Sequence, residues 1–417
     1  MHGLMTELYP LCRSITGQGV RETLARIAKH VDLQVHEVPT GTPVLDWTVP
    51  REWNIRGASV RDPSGRTVVD FADSNLHVVG YSTPVRASMA LAELREHLFT
   101  LPERPDWIPY RTAYWAETWG FCMRHRDVEA LEDGDYEVVI DSTLEDGSLT
   151  LGEYLHAGTT TDEVLIHCHT CHPSLANDNL SGIAIATYLA SRLRGRETRL
   201  SYRFLFLPGT IGAITWLARN EDVLGRIRHG LVVCCVGDPG PFTYKRSRRG
   251  DATVDRAAAY VLGRRGVEHR ILDFTPWGYD ERQYCSPGFD LPVGSLTRSP
   301  NNAYPEYHTS ADDLGFVTPE ALAESLDVYL DLLDVLEHDL AYRNLSPKGE
   351  PQLGRRGLYP SIGGDRAGDR QLALLWVLNQ SDGDHTLLDI AERSGLPFDE
   401  LRWAAGQLLE HGLLAPA

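Results

Sequence analysis

The sequence predicts an α/β domain whose central sheet is largely parallel and is flanked by helices. Three continuous apolar runs, EVLIH (163–167), RFLFL (203–207) and LVVCCV (231–236), are typical of strands that are covered on both faces. A helical segment at 181–194 separates the first two runs, and another helix is expected after Gly209. Such alternation indicates βαβ units, so ligands are expected at the carboxyl ends of the strands.

The segments that precede the predicted sheet have a different pattern of apolar and turn-forming residues. A helix is predicted at 20–27, and short β-rich runs broken by Pro, Gly and Asp then extend from 38 to 146. They favour a small antiparallel β module inserted into the main domain. Aromatic residues cluster between Trp107 and Phe121. We interpret them as core or interface of the inserted module, with an overhang above the site as the alternative.

The end of the chain has the pattern of short helices. Residues 344–370, rich in Pro, Gly and Arg, are predicted to be a linker. Thr386 is a plausible N-cap of the middle helix, and Gly395 is expected to end it. Helices with this spacing indicate a winged-helix or helix-turn-helix module. The predicted helices are QLALLWVLNQ (371–380), TLLDIAERSG (386–395) and PFDELRWAAGQLLEHG (397–412).

These patterns predict three domains. The main domain takes residues 1–40 and 150–345, the inserted β-rich domain takes 41–149, and the winged-helix-like domain takes 366–417.

Composition excludes several classes of protein. The chain has 417 residues and a formal net charge of −18, which favours solubility and repels phosphate backbones. Residues 366–417 carry four Arg or Lys against eight Asp or Glu, so no nucleic-acid partner is expected. No apolar run is long enough to span a membrane, and no signal peptide is apparent. The seven cysteines do not form a secreted disulfide pattern, which favours the cytoplasm.

The densest group of chemically reactive residues lies at 167–182, HCHTCHPSLANDNLSG. It directly follows a predicted strand and directly precedes a predicted helix, where imidazoles and a carboxylate can converge on a divalent cation. Asp178 lies just before the helix, where its backbone can be held rigidly and its carboxylate can bridge two metal ions. A solvent-facing loop, or cysteines that are simply buried, is the alternative interpretation.

A second cluster lies at 305–314, PEYHTSADDL. His308 is placed to close a metal site from the opposite side, with Asp312 or Asp313 orienting its far nitrogen. Alone this segment is typical of ordinary surface, but together with the first cluster it indicates a metal site.

The two clusters resemble the two-zinc aminopeptidases, which share the strand–His…Asn-Asp-Asn-x-Ser-Gly–helix segment and the later Tyr-His-Thr-x-x-Asp segment. The chain is more closely similar to bacterial aminopeptidase-like proteins that have an inserted β module and a terminal winged helix. The specific pieces are CHPSLANDNLSG, YDERQYCSPG and PEYHTSADDL, and the resemblance extends over nearly the whole chain. It implies a zinc-aminopeptidase-like fold, with a mixed or parallel sheet flanked by helices.

The resemblance also implies a set of metal ligands. Asp178 matches the bridging Asp, His308 the late His, and Asp238 the second Asp that follows a strand. The first His is open among three residues, with His172 favoured, His169 second and His167 third. One zinc ion is expected, with two as the alternative.

One departure from the family concerns the catalytic base. The related enzymes have a Glu-Glu pair where this sequence has Pro208-Gly209-Thr210, so a metal ligand and a proton acceptor are both missing there. A carboxylate from elsewhere is therefore predicted to substitute. Glu281 is the first candidate, and Asp280 and Glu306 are the others; a solvated loop is the alternative interpretation of the segment at 280–283.

The function that follows is a metal-dependent hydrolase of a peptide or amide bond, in which zinc polarises the carbonyl and activates water. Arg282, Tyr284 and Tyr307 are the candidate substrate-binding residues, with Arg282 suited to a substrate carboxylate. The expected partner is a small peptide or amide, with no membrane; self-association into a homo-oligomer is left open. A protein that binds such a ligand without hydrolysing it is the alternative, and a DNA-binding regulator is a third, less favoured class.

Overall fold

The computed structural model describes residues 1–358 and 367–417, without the side chains of 367–369. Residue 366, the predicted start of the terminal module, and part of the predicted linker 344–370 lie outside the described residues. The helices of the described residues are α1 His2–Leu8, α2 Gln18–Ile27, α3 Leu91–Leu94, α4 His125–Glu129, α5 Gly182–Leu193, α6 Ile211–Arg219, α7 Thr253–Arg265, α8 Glu281–Tyr284, α9 Pro319–His338, α10 Ala367–Gln380, α11 Leu387–Ser394 and α12 Phe398–Glu410. The strands are β1 Gln34–Pro39, β2 Pro43–Val44, β3 Trp47–Thr48, β4 Glu52–Arg61, β5 Thr67–Asp70, β6 Val85–Ala90, β7 Leu98–Phe99, β8 Phe121–Cys122, β9 Asp135–Glu145, β10 Ser148–His156, β11 Glu163–His169, β12 Ser201–Leu207, β13 Ile227–Val233, β14 Phe242–Lys245, β15 His269–Leu272, β16 Val293–Thr297, β17 Ala341–Asn344, β18 Asp382–Thr386 and β19 Leu414–Pro416.

The chain divides into two compact units, 1–255 with 267–327, and 256–266 with 328–417. The first unit is built on an eight-stranded mixed sheet of order β1-β10-β12-β11-β13-β16-β14-β15. Its four central strands, β12, β11, β13 and β16, are parallel to one another. Every residue of β11 and β12 is buried, as their continuous apolar runs predict. The predicted α/β fold is confirmed.

The helices predicted at 20–27, at 181–194 and after Gly209 are present as α2, α5 and α6. The strand predicted at 231–236 is displaced, because β13 begins at Ile227 and ends at Val233. Beyond Val233 the backbone leaves the sheet to bond the turn before α5. The N–H of Val236 donates to Oγ of Ser181, and the N–H of Gly237 donates to Oδ1 of Asn177.

A four-stranded antiparallel sheet of order β5-β4-β9-β6 lies between β1 and β10 in the sequence. Alternate residues of β9 are buried, which gives the sheet one covered face. An antiparallel β arrangement was predicted for this stretch, and its domain boundaries at 41 and 149 stay a prediction.

In the second unit, β17, β18 and β19 form a small antiparallel sheet that accompanies α10, α11 and α12. Thr386 caps α11 in a reciprocal capping box with Asp389, and Gly395 ends the helix in the left-handed conformation at φ 71°. Both end signals predicted for this helix are confirmed.

All seven cysteines are free thiols, and all but Cys12 are buried. Among the described residues, none of the helices has the length and apolar character needed to cross a membrane.

Candidate metal centre

The first histidine cluster lies at the carboxyl end of β11, in the middle of the sheet. His167 and His169 are two residues apart on this strand and therefore point to the same face. His169 is the last residue of β11, and an irregular turn at 176–181 carries Asp178 to the start of α5. This is the edge of the sheet where ligands of α/β proteins bind.

Asp178 is the centre of a group of three imidazoles. Its Oδ1 lies 2.8 Å from Nε2 of His169, and its Oδ2 lies 3.1 Å from Nε2 of His308. Nδ1 of His172 lies 3.6 Å from the same Oδ1. The ligand atoms of His169, His172 and Asp178 all lie within 4.8 Å of one another, which is close enough to share one ion. The structure thus brings together four of the five predicted metal ligands.

The electrostatics of the group suit a cation. Burial alone would raise the pKa of Asp178, but its hydrogen bonds with His169 and His308 hold that pKa well below its usual range. Burial lowers the pKa of His172 to about 3, against the opposing charge of Asp178. His172 is therefore neutral, and its buried Nδ1 has no hydrogen-bond partner among the described residues. A neutral imidazole with an unused nitrogen beside an ionised carboxylate is the state that metal binding requires.

Asp312 fixes the backbone of this group and does not orient His308. Its Oδ1 accepts from the N–H of Asn177 at 2.6 Å, and its Oδ2 accepts from the N–H of Asp178 at 3.0 Å. Asp313 accepts hydrogen bonds from the N–H groups of its neighbours Gly315 and Phe316. The prediction that either residue holds the far nitrogen of His308 is therefore wrong, because both carboxylates bond to backbone N–H groups.

Asp238, the remaining predicted ligand, has a carboxylate that accepts four hydrogen bonds. Two come from Ser299, one from the N–H of Gly240 and one from Nδ2 of Asn177. This carboxylate supports Asn177, the neighbour of Asp178, and is not part of the group around Asp178.

Asp280 lies beside the residues that replace the expected Glu-Glu pair. Its Oδ1 accepts a 2.8 Å hydrogen bond from the backbone N–H of Thr210, and its Oδ2 lies 3.0 Å from Nε2 of His167. The other ring nitrogen of His167 lies 2.9 Å from the hydroxyl of Tyr284. Burial would raise the pKa of Asp280, but His167 and the Thr210 N–H keep it below its usual value. Asp280 is therefore an ionised carboxylate held by two partners.

Glu281, the first candidate for the base, has a different environment. It is fully buried and forms an ion pair with Lys245, yet burial still raises its pKa. Nζ of Lys245 also donates to the carbonyl oxygen of Trp277 at 2.7 Å. The pair thus connects β14 to the loop that carries Asp280.

Several of the candidate groups line one cavity of about 220 Å³, beside which Asp178 is fully buried. His169, His172, His308 and Asp280 line it, together with Tyr307. The ring of Tyr307 stacks on His308 with centroids 3.9 Å apart. Glu281, Glu306, Arg282 and Tyr284 are not among the lining residues. Tyr284 is fully buried and bonds His167, while Nε of Arg282 is buried without a partner among the described residues.

Sequence reasoning did not assign three further tyrosines that line this cavity, Tyr110, Tyr114 and Tyr279. The ring of Tyr110 contacts those of His172 and His308 edge to face, with centroids 5.3 and 5.0 Å apart. The backbone N–H of Tyr110 donates to the carbonyl oxygen of His308 at 2.8 Å. Tyr110 and Tyr114 belong to the aromatic cluster for which an overhang above the site was the alternative interpretation. That cluster was the available signal, and the structure favours this alternative for these two residues.

Solved structures give this fold a class. A zinc aminopeptidase from Bacillus subtilis matches with a TM-score of 0.58 at 13% identity, over 80% of this chain and 93% of the other. The chain therefore has an aminopeptidase-like fold with a cluster able to hold a metal ion.

The family follows from closer matches. The chain belongs to the family described as "Domain of unknown function (DUF4910)", which matches residues 2–339, and residues 340–416 match a winged helix-turn-helix family. A Clostridium acetobutylicum relative is 52% identical over 416 residues, covering 99% of this chain and 95% of the relative. Its name provisionally assigns it to polysaccharide biosynthesis and gives it an aminopeptidase-like domain. A crystal structure from the same organism, provisionally described as a peptidase, has a TM-score of 0.95 at 50% identity and covers 100% of this chain and 96% of that one.

Proposed function

We propose that the protein is a metal-dependent hydrolase of a peptide or amide bond. The observation that carries the proposal is one cavity lined by a second ionised carboxylate, Asp280, and by the three imidazoles that surround the buried Asp178 carboxylate. Hydrolases of this kind need a metal site and a positioned proton acceptor, and this cavity offers groups for both.

His169, His172, Asp178 and His308 would hold the ion. Zinc suits a set of imidazoles with one carboxylate, and the unpartnered Nδ1 of His172 supports the fit. We propose one zinc ion. His169 and His308 contact different oxygens of Asp178, so the alternative is that these residues would hold two ions.

Such an ion would supply a Lewis acid that polarises the scissile carbonyl and makes water more acidic. The chain itself supplies the proton acceptor, for which we propose Asp280 in preference to Glu281. Asp280 lines the cavity and is ionised, whereas Glu281 is paired with Lys245 and does not line it. His167 and the Thr210 N–H hold the Asp280 carboxylate in one orientation, and Tyr284 holds His167.

The walls favour a small substrate group at the cleaved bond. Tyrosine rings surround a cavity of about 220 Å³, which is below the usual size of a site that encloses a whole drug-sized ligand. The name of the Clostridium acetobutylicum relative provisionally assigns that protein to polysaccharide biosynthesis. We therefore propose amides of a biosynthetic pathway as a substrate class, in addition to small peptides.

Metal content and hydrolysis, measured on the same preparations, test the proposal. Purified protein should contain about one zinc per chain, and the His169→Ala/His308→Ala double variant should contain none. Only the wild type should hydrolyse members of a panel of amino-acid anilides and N-acyl amines, and a chelator should stop the reaction. Metal retention without turnover on the whole panel would instead favour the binding protein, and absence of metal after reconstitution would reject both the site and the activity.

A further inference from the structure

A second cavity, of about 190 Å³, shares one wall with the candidate metal centre. Tyr114 lines both cavities. Its hydroxyl lies 2.9 Å from that of Tyr110, whose ring in turn contacts His172 and His308. Tyr110 and Tyr114 therefore separate the second cavity from the group around Asp178. A substrate that extends beyond the cleaved bond could reach this cavity.

Exposed tryptophan marks the outer part of this second cavity. Trp115 lines it and is 57% exposed, although tryptophan is usually largely buried. Its neighbour Trp47 is 36% exposed, and the two rings meet edge to face with centroids 5.2 Å apart. An edge-to-face contact covers at most one face of one ring, so flat aromatic surface is left open to a ligand. Exposed large apolar rings next to a cavity are typical of a binding surface.

Polar groups complete the wall. Arg51 and Glu117 line the same cavity and form an ion pair at its rim, with side chains 41% and 73% exposed. The hydroxyl of Tyr81 donates to the backbone carbonyl of Arg51 and so fixes that part of the wall. The cavity thus combines an open aromatic face with a charged, hydrogen-bonding rim.

We infer that this cavity is a subsite for a saccharide ring, and that the substrate is an amide carried on a sugar. A pyranose has an apolar face of C–H groups that packs on an indole ring and a rim of hydroxyls that bond charged side chains. An apolar peptide side chain would instead require an enclosed apolar pocket, which this open, charged rim does not provide. The inference that the sugar is part of the substrate rests on the proposed function, whereas the inference that this cavity binds a saccharide does not.

Saturation-transfer NMR on the full chain tests the subsite. The probes are N-acetylglucosamine, N,N′-diacetylchitobiose and maltose, with leucinamide and phenylalaninamide as comparators. We expect transfer to at least one saccharide, binding about tenfold weaker in Trp115→Ala, and binding kept in Trp115→Phe. Trp277→Ala is the matched control, because Trp277 is 70% exposed and lines neither cavity.

Three results would overturn the inference: no saccharide signal in the wild type, equal weakening by Trp277→Ala, or Trp115-dependent binding of phenylalaninamide in place of saccharides. The measurement uses metal-free protein, so it is independent of turnover. Saccharide binding without hydrolysis of any amide would keep the subsite and reject the hydrolase. Hydrolysis of simple amides without saccharide binding would keep the hydrolase and reject the subsite.

Discussion

The carboxylate of Asp280 accepts a 2.8 Å hydrogen bond from the backbone N–H of Thr210, although the two residues are 70 positions apart in the sequence. Thr210 has a φ of 61° and directly follows Pro208-Gly209, the two residues after the end of β12 at Leu207. Asp280, from the loop before α8, thereby places a carboxylate next to the segment after β12, which provides none itself.

Asp280→Asn should abolish most turnover without changing metal content. The amide keeps the size of the side chain but cannot accept a proton, and general-base catalysis contributes about 10²- to 10⁴-fold to rate. We expect kcat to fall by at least about 10²-fold. Glu281→Gln, which neutralises the neighbouring carboxylate in the same way, is the control, and its turnover is compared at a temperature at which both variants are folded. A Glu281→Gln variant that loses turnover while Asp280→Asn keeps it would reverse the assignment.

Two aspartates should differ in their effect on metal binding. Asp178→Asn should lower zinc content strongly, since the charged carboxylate lies among the three imidazoles. Asp238→Asn should keep the zinc but lower the free energy of unfolding, because each carboxylate oxygen accepts two of the four hydrogen bonds and the amide NH2 that replaces one oxygen can accept neither. Elemental analysis and chemical denaturation of both variants check this. Loss of zinc from Asp238→Asn with an unchanged fold would make Asp238 a ligand after all.

The Lys245–Glu281 ion pair should contribute to stability only as a pair. Lys245→Met leaves the fully buried Glu281 carboxylate without its ion-pair partner. Glu281→Gln leaves the largely buried Lys245 ammonium with backbone carbonyl acceptors but without a counter-charge. Breaking a buried pair in this way costs about 3–5 kcal/mol of the free energy of unfolding. The double variant should cost less than the sum of the two single variants. A double-mutant cycle in urea measures this coupling. Additive losses in the free energy of unfolding would show that the interaction between the two side chains does not stabilise the fold.

Acid should destabilise the protein through His229. Burial lowers the pKa of His229 to about 4, from an unfolded value of about 6.5. The unfolded chain therefore takes up a proton first as the pH falls. Stability is fully present above about pH 6.5 and is lost toward pH 4, by at most about 1.4 kcal/mol per pH unit from this group. His229→Gln should flatten that slope in unfolding curves between these pH values, whereas His30→Gln, at an exposed position, should not. Equal slopes in all three proteins would contradict the prediction.

The terminal module should not bind DNA at physiological salt. Arg370 pairs with Glu400 at 3.3 Å and Arg402 pairs with Asp334 at 2.7 Å, so both cations are already engaged by carboxylates. Binding to a phosphate backbone depends on cations that can neutralise it. A mobility-shift assay of the full chain with random-sequence duplex should show no complex. A complex that weakens steeply with added salt would place the protein among nucleic-acid-binding proteins.

Periodicity and apolar runs were sufficient to predict the core of the fold. The strands β11 and β12 and the helix α5 follow from continuous apolar runs and from the helical stretch between them. The group around Asp178 was predictable because its first members lie within a few residues of each other, between a strand and a helix. Local sequence determines such features, so a single sequence is enough to find them.

Contacts between distant segments were not predictable in this way. Nothing in the local pattern distinguishes Asp280 from Glu281, since only the fold turns one toward Thr210 and the other toward Lys245. Asp238 follows a strand as a ligand would, but its hydrogen bonds to Ser299 depend on a segment about sixty residues later. The end of β13 at Val233 likewise depends on Ser181 and Asn177, which withdraw the next residues from the sheet.

The contacts of Ile108 and Tyr110 with the segment around His308 limit how this chain can be shortened. The N–H of Tyr110 bonds the carbonyl of His308, and the N–H of Ser310 bonds the carbonyl of Ile108. Deleting the β-rich insertion to obtain a minimal main domain would therefore remove part of the scaffold that holds a proposed metal ligand. For the same reason, exchanging this insertion between relatives would change the candidate metal site together with the proposed saccharide subsite, and the two would have to evolve together.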